Sequence, residues 1–174
     1  MTAKEFVRVL THGESDIIQS MLDILSETQS DFCIIGGLAV NAYVEPVVSL
    51  DLDLVVVAPN IDTVIALAHS RDFRVERFEH SINLSSPKSA LRIQIQTDER
   101  YQEFIKHAER RTVLDYEMPV ARVEDVLRGK IWAYQDEARR KSKRQKDLAD
   151  IMRIIEAYPA LITDLPAAMR LLVE

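Results

Sequence analysis

One cysteine, Cys33, stands among 174 residues. An intramolecular disulfide is therefore excluded, and a reducing compartment fits. No apolar run approaches the ~18 residues that a membrane span needs. The opening stretch, MTAKEFVRVLTHGESD, has neither an apolar leader core nor a cleavage pattern, so a cytoplasmic location is expected. Excess positive charge is missing too: 22 basic against 28 acidic residues leave a net charge of -6. Bulk charge thus cannot drive nucleic-acid binding, although a local basic patch can. The four histidines, His12, His69, His80 and His107, show no metal-ligand spacing. Ser49, Ser85 and Ser86 lack the paired His and Asp of a hydrolase triad. No internal repeat or low-complexity segment is visible.

What is present suits a soluble domain. Hydrophobic residues make up 47% and charged residues 29%, and a chain of this length buries enough surface to need no staple. Apolar spacing predicts a helix over 15–28, with Ser15-Asp16 as its cap. Phe32–Ile35 reads as a short strand ended by Gly36-Gly37. A short helix over 38–43 follows, closed before Pro46. The clearest strand is 50–57, then a turn at Pro59-Asn60 and a helix over 61–70. Strands are predicted at 73–78, 81–84 and 90–96, the first two as a hairpin through Glu79-His80. Residues 101–109 look helical, 112–114 form a last short strand, and helices follow at 123–139, 145–158 and 165–172. The expected fold is therefore α/β (α+β): a small mixed sheet with flanking helices over 1–120, and a C-terminal helical part, 121–174, packed on it.

Two features carry chemistry. In SLDLDLVVV, alternation puts Asp51 and Asp53 side by side while Leu50, Leu52 and Leu54 point into a core. Neighbouring carboxylates repel, and burial adds a desolvation cost. A divalent cation relieves both, and Mg²⁺ favours a few carboxylates together with substrate phosphates. The plainer reading is a solvated strand edge. The second feature is Gly36-Gly37, fourteen residues before Asp51. Glycines permit close backbone approach, and the helix after them offers amides to an anion. Together they suggest phosphate-binding amides beside metal ligands.

These residues, IIGGLAVNAY followed by SLDLDLVV, resemble the nucleotidyltransferase superfamily with the polymerase-beta-type fold. The closest branch is that of the abortive-infection and type IV toxin nucleotidyltransferases. The later segment MPVARVEDVLRGKIWAYQDEARRKSKRQKDLADI resembles the family's extended stretch, lysine-bearing helix, basic loop and Lys-Asp-Leu-x-Asp helix start. That aligns Lys130, Lys146, Asp147, Leu148 and Asp150, and the likeness runs from about residue 14 to 158. The resemblance implies that Gly36, Gly37 and Ser49 hold nucleotide phosphates, that Asp51 and Asp53 bind one or two Mg²⁺ ions, that Lys130 contacts the triphosphate, and that Asp147 belongs to the nucleotide site. It implies transfer of a nucleoside monophosphate from a nucleoside triphosphate, such as ATP, to a hydroxyl on RNA, protein or a small molecule. A toxin–antitoxin role, with an antitoxin or other partner protein, would follow.

Two departures stand out. The family's third carboxylate falls in a stretch like Arg-Val-Asp-Leu-Leu, whereas LRIQIQTD places Gln94 there. Glutamine supplies neither negative charge nor a general base. Asp98 lies on the same face by parity but roughly 13 Å further along an extended strand. The family's Arg-x-Thr is replaced by Val47-Val48-Ser49, in which only Ser49 keeps a hydroxyl. A non-catalytic module binding nucleotide or a partner is therefore the alternative. The basic run Arg139, Arg140, Lys141, Lys143, Arg144 suits phosphate contacts with an RNA acceptor; its plainer reading is a solvated helix end or loop, with Lys and Arg favourably placed at a helix C-terminus. Cys33 reads as a small core residue and Trp132 as packing, with Trp132 or Tyr134 as a base-stacking alternative.

Overall fold

The computed structural model describes residues 1–13 and 15–174. The elements in chain order are α1 (Ala3–Leu10), α2 (Ile17–Glu27), β1 (Phe32–Ile35), α3 (Gly36–Val40), β2 (Asp51–Val56), α4 (Ile61–Ser70), β3 (Arg74–Arg77), β4 (Ser81–Ser86), β5 (Ser89–Gln96), α5 (Gln102–Lys106), β6 (Glu109–Val113), β7 (Tyr116–Val120), α6 (Val123–Gln135), α7 (Lys141–Ala157) and α8 (Ala167–Val173). The strands form a seven-stranded mixed sheet in the order β3-β4-β5-β2-β1-β7-β6. Parallel pairing joins β2 to β5 and β1 to β7, and the other neighbours are antiparallel. The α/β class expected from the sequence is the fold observed.

Alternation makes the sheet two-sided. Leu52, Leu54, Ile93, Ile95, Ile82 and Leu84 are buried on one face, in a core that also takes in residues of α2 and α4. Asp51 and Asp53 project from the other. Buried residues of α6, α7 and α8, among them Leu127, Ile151 and Met169, join the same core as the strands. Tyr101, Phe104 and Trp132 make an aromatic cluster with ring centroids 5.2 to 5.6 Å apart. Trp132 thus serves packing, as its plainer reading held. Cys33 is fully buried, and burial pushes its thiol up to about 12.

Several boundaries differ from expectation. The helix after β1 starts on Gly36 itself and spans five residues. The expected helix over 101–109 stops at Lys106, because Glu109 already pairs with Val120 in β6. Leu114 and Asp115 take positive φ (52° and 64°) in the turn to β7, a strand that MPV hinted at only as extended chain. The basic run does not end a helix: Arg139 and Arg140 lie in the loop after α6. It leads into α7, with Arg140 as N-cap and Lys141, Lys143 and Arg144 in the opening turn. No helix among the described residues is long and apolar enough to cross a membrane.

Candidate functional site

The register of β2 fixes the centre of the site. Asp53 lies opposite Ile35 of β1 and Gln94 of β5, and Asp51 lies opposite Arg92. Gln94 therefore occupies the strand position beside Asp53. Arg92 Nε donates to Asp51 Oδ1 at 2.9 Å. That pair is well exposed and worth little by itself. Asp53 is deeper. Burial first, and then the charge of Asp51, push its carboxyl up to about 6, while Lys130, Arg139 and Lys143 pull the other way. The Asp53 carboxylate is thus held charged at a cost beside Asp51, which is a setting that a cation would relieve. Asp51 and Asp53 are the side chains here that could hold a divalent ion such as Mg²⁺. Among the described residues, no three His, Cys, Asp or Glu side chains cluster as a ready-made metal cage.

Gly36 explains why this turn needs glycine. Its φ is +71°, and an added Cβ would overlap Asp53 Oδ2 and lie 3.0 Å from Asp53 Cβ and Cγ. The turn backbone therefore lies directly against the carboxylate. A Cβ on Gly37 would sit 3.4 Å from Ser49 Oγ, so the second glycine packs near the hydroxyl that precedes β2. The loop before β2 is held near its middle. Asn41 donates from Nδ2 to Val47 O at 2.6 Å and accepts from the Val47 N–H at 3.1 Å. Arg153 of α7 donates to Glu45 O.

The wall opposite β2 comes from α6 and α7. Lys130 Nζ lies 3.1 Å from Asp147 Oδ1 and 2.8 Å from Asp150 Oδ2. Arg139 Nε donates to Asp147 Oδ2 at 2.7 Å. Burial disfavours the Lys130 charge, but Asp150 and Asp147 outweigh it and hold its pKa above the ordinary lysine range. Spacing of three residues puts both aspartates on one face of α7, so one ammonium bridges them. Between this wall and β2 runs a cleft of about 570 Å³ lined by Gly37, Ser49, Asp51, Asp53, Lys143 and Lys146, with Lys130, Arg139 and Asp147 behind. A smaller cavity of about 100 Å³ opens beneath it among Asp53, Gln94, Gln96, Tyr101 and Lys130.

The fold thus brings Gly37, Ser49, Asp51, Asp53, Lys130 and Asp147 around one cleft, with Gly36 and Gln94 lining the smaller cavity beneath it. Asp98 is not among them: it accepts from the Arg100 N–H and is clasped by the Arg100 guanidinium. Within the basic run, Arg139 is committed to Asp147. Arg144 donates to Tyr134 O at 2.6 Å and lies over the Tyr134 ring. Lys143 reaches the cleft, and so does Lys146. Sequence reasoning did not single out Arg92, Arg139's bond to Asp147, or Asp150 as the second arm of the Lys130 bridge. Of these, only the Asp147/Asp150 spacing carried a readable signal.

A mixed sheet with a glycine turn, two carboxylates on the adjoining strand and a lysine-bearing helix across a cleft defines a nucleotidyltransferase fold. Solved structures share it. Lincosamide antibiotic adenylyltransferase LnuA, determined with lincomycin bound, is 13% identical with a TM-score of 0.55, over 79% of this chain and 95% of that one. ANT(2")-Ia, determined with adenylyl-2"-tobramycin, is 16% identical with a TM-score of 0.62, over 90% and 94%. An antigenic nucleotidyltransferase-like protein from Paracoccidioides brasiliensis is 22% identical with a TM-score of 0.51, over 88% and 75%. No curated protein sequence matches the chain. Residues 61–174 match the family described as nucleotidyl transferase AbiEii toxin, type IV TA system, and the chain belongs to that family. The matched segment holds Gln94, Lys130 and Asp147, while the glycine turn and the aspartate pair precede it.

Proposed function

We propose that the protein transfers a nucleoside monophosphate from a Mg²⁺-bound nucleoside triphosphate to an acceptor hydroxyl, as the toxin of a toxin–antitoxin pair. The observation that carries this reading is the costly pairing of Asp51 with Asp53 across a cleft from Lys130. The part spanning 1–120 would supply the carboxylates and the Gly36-Gly37 turn, and the part spanning 121–174 would supply Lys130 and Asp147. In this reading Asp51 and Asp53 hold the metal, and Gly36, Gly37 and Ser49 contact phosphate oxygens. Lys130, kept charged by Asp147 and Asp150, balances the triphosphate. Bound metal would supply alignment and charge neutralisation. The acceptor oxygen bonds to the α-phosphorus, its proton leaves to solvent, and the bond to the pyrophosphate oxygen breaks. Lys143 and Lys146 add positive charge at the rim, which suits an anionic acceptor such as RNA.

Gln94 beside Asp53 favours a second reading, a fold that binds Mg-nucleotide without transferring it. Calorimetric titration of the four nucleoside triphosphates, with and without Mg²⁺, tests the common part. Binding should require Mg²⁺ and vanish in the Asp51→Asn, Asp53→Asn double variant. Release of pyrophosphate in the presence of acceptor separates transfer from binding alone. Absence of Mg²⁺-dependent binding by the wild type would sink both readings.

A further inference from the structure

The cations of the cleft differ in what balances them. Lys130 and Arg139 are paired with Asp147, and Lys130 and Arg153 with Asp150, so the two aspartates of α7 hold all three. Arg92 is balanced differently. It lies on β5 opposite Asp51, lines the same cleft, and donates from Nε to Asp51 Oδ1 at 2.9 Å. Its counter-ion is one of the two carboxylates that suit a divalent cation. A guanidinium and a metal ion at Asp51 therefore compete for the same charge.

An ion pair across neighbouring strands is often no more than a contact on the sheet surface. That accounts for the bond but not for its place, and two features make this bond easy to exchange. The side chains of Arg92 and Asp51 are 63% and 33% exposed, so water screens the pair and it holds weakly. Among the described residues, Arg92 uses only Nε in a side-chain bond, which leaves both terminal nitrogens of its planar fork free at the cleft. The local charge matters as well. Gln94 beside Asp53 adds none. With Arg92 on Asp51, a bare divalent cation meets carboxylates that are already partly neutralised. A cation that arrives on a triphosphate brings further negative charge, and Arg92 has somewhere to go.

We propose that Arg92 is an exchangeable counter-ion of the metal site. It occupies Asp51 in the ligand-free protein, opposes the binding of a bare divalent cation, and passes to phosphate oxygens when the cation arrives with a nucleoside triphosphate. Arg92 thereby selects the metal–nucleotide complex over the free ion. The passage to phosphate rests on the reading given under Proposed function; the opposition to a bare cation rests on the pair with Asp51 alone. Arginine suits the exchange, because its fork meets phosphate through two parallel bonds and it never loses its charge.

Electron paramagnetic resonance of Mn²⁺, in which the free aqueous ion gives the signal that bound ion loses, tests the opposition without any nucleotide. Arg92→Gln should bind Mn²⁺ roughly 5- to 50-fold more tightly than wild type, through loss of an exposed pair and of a like-charged neighbour. Arg92→Lys keeps the charge and should return toward the wild-type affinity. Adding Asp51→Asn to Arg92→Gln should abolish the gain. Calorimetric titration of the four nucleoside triphosphates in excess Mg²⁺ should show the opposite sign. There Arg92→Gln should bind roughly 3- to 30-fold more weakly, as lost bonds to phosphate outweigh a pair that no longer has to break. Thermal unfolding of each variant guards against a folding defect. Removal of a mere brace for Asp51 would weaken both affinities, and removal of a bystander would change neither; either result overturns the inference. Mg²⁺-dependent nucleotide binding by the wild type, with no gain in Mn²⁺ affinity in Arg92→Gln, rejects the role of Arg92 and leaves the transferase reading standing. A gain in Mn²⁺ affinity, with no Mg²⁺-dependent nucleotide binding by the wild type, supports the opposition at Asp51 and rejects the transferase reading together with the passage to phosphate.

Discussion

Replacing Asp53 by Asn should stabilise the ligand-free protein at neutral pH. Asp53 has its carboxyl moved from 3.8 to about 6, chiefly by burial and next by Asp51. At about 1.4 kcal/mol for each pH unit, the charged form carries up to about 3 kcal/mol of strain. Water in the open cleft screens part of that, so about 1–2 kcal/mol is the expected gain. For a chain of this size it corresponds to roughly 2–8 °C in Tm. The sign follows from linkage. Below the unfolded-state value of 3.8, Asp53 is protonated in both states and costs nothing. As pH rises through about 6, the folded protein must give up a proton that it holds more tightly than the unfolded chain does. Stability of the wild type therefore falls across that window, and Asn removes the fall. Thermal unfolding of both proteins between pH 4 and pH 8 is the assay. The Tm difference should be near zero at the acid end and full above pH 7. Added Mg²⁺ should raise the wild-type Tm and leave the variant unchanged. A variant less stable than wild type at pH 7, or a difference that ignores pH, would refute the reasoning.

Three further substitutions probe the rest of the site. Gly36→Ala forces a side chain into φ +71° and against Asp53. A stability loss of about 1–2 kcal/mol from the backbone alone, with loss of Mg²⁺-dependent nucleotide binding, is expected from thermal unfolding and calorimetry. Lys130→Met leaves Asp147, 2% exposed, leaning on Arg139 alone. Removing one partner of such a buried network costs about 3–5 kcal/mol, to be read from denaturant unfolding. Gln94→Glu adds a carboxylate beside Asp53 and should lower ligand-free stability at pH 7 while tightening Mg²⁺ binding. A stability loss without tighter binding would show that position 94 points away from the metal.

How much of this was legible follows from what each signal depends on. Strand alternation is local, so the two-sided β2, with Leu52 and Leu54 inward and the aspartates outward, could be read directly from DLDLVV. Gly36-Gly37 was legible as a close approach, but not its object. That the turn presses on Asp53 depends on antiparallel pairing of β1 with β2, which no local pattern encodes. Placement of Gln94 beside Asp53 came from the family likeness, and the parallel register of β2 with β5 then supplied the geometry. The α7 start was misread because its opening turn carries Lys141, Lys143 and Arg144 and no acidic residue, the opposite of the charge that a helix N-terminus favours. Tertiary bonds hold it there instead: Arg139 to Asp147, Arg144 to Tyr134 O, and Lys130 to both aspartates. A segment that keeps lysines at its own unfavourable end is stabilised by its neighbours. Its charge is then left to act on something outside the chain, and Lys143 and Lys146 at the cleft rim are where that action would fall.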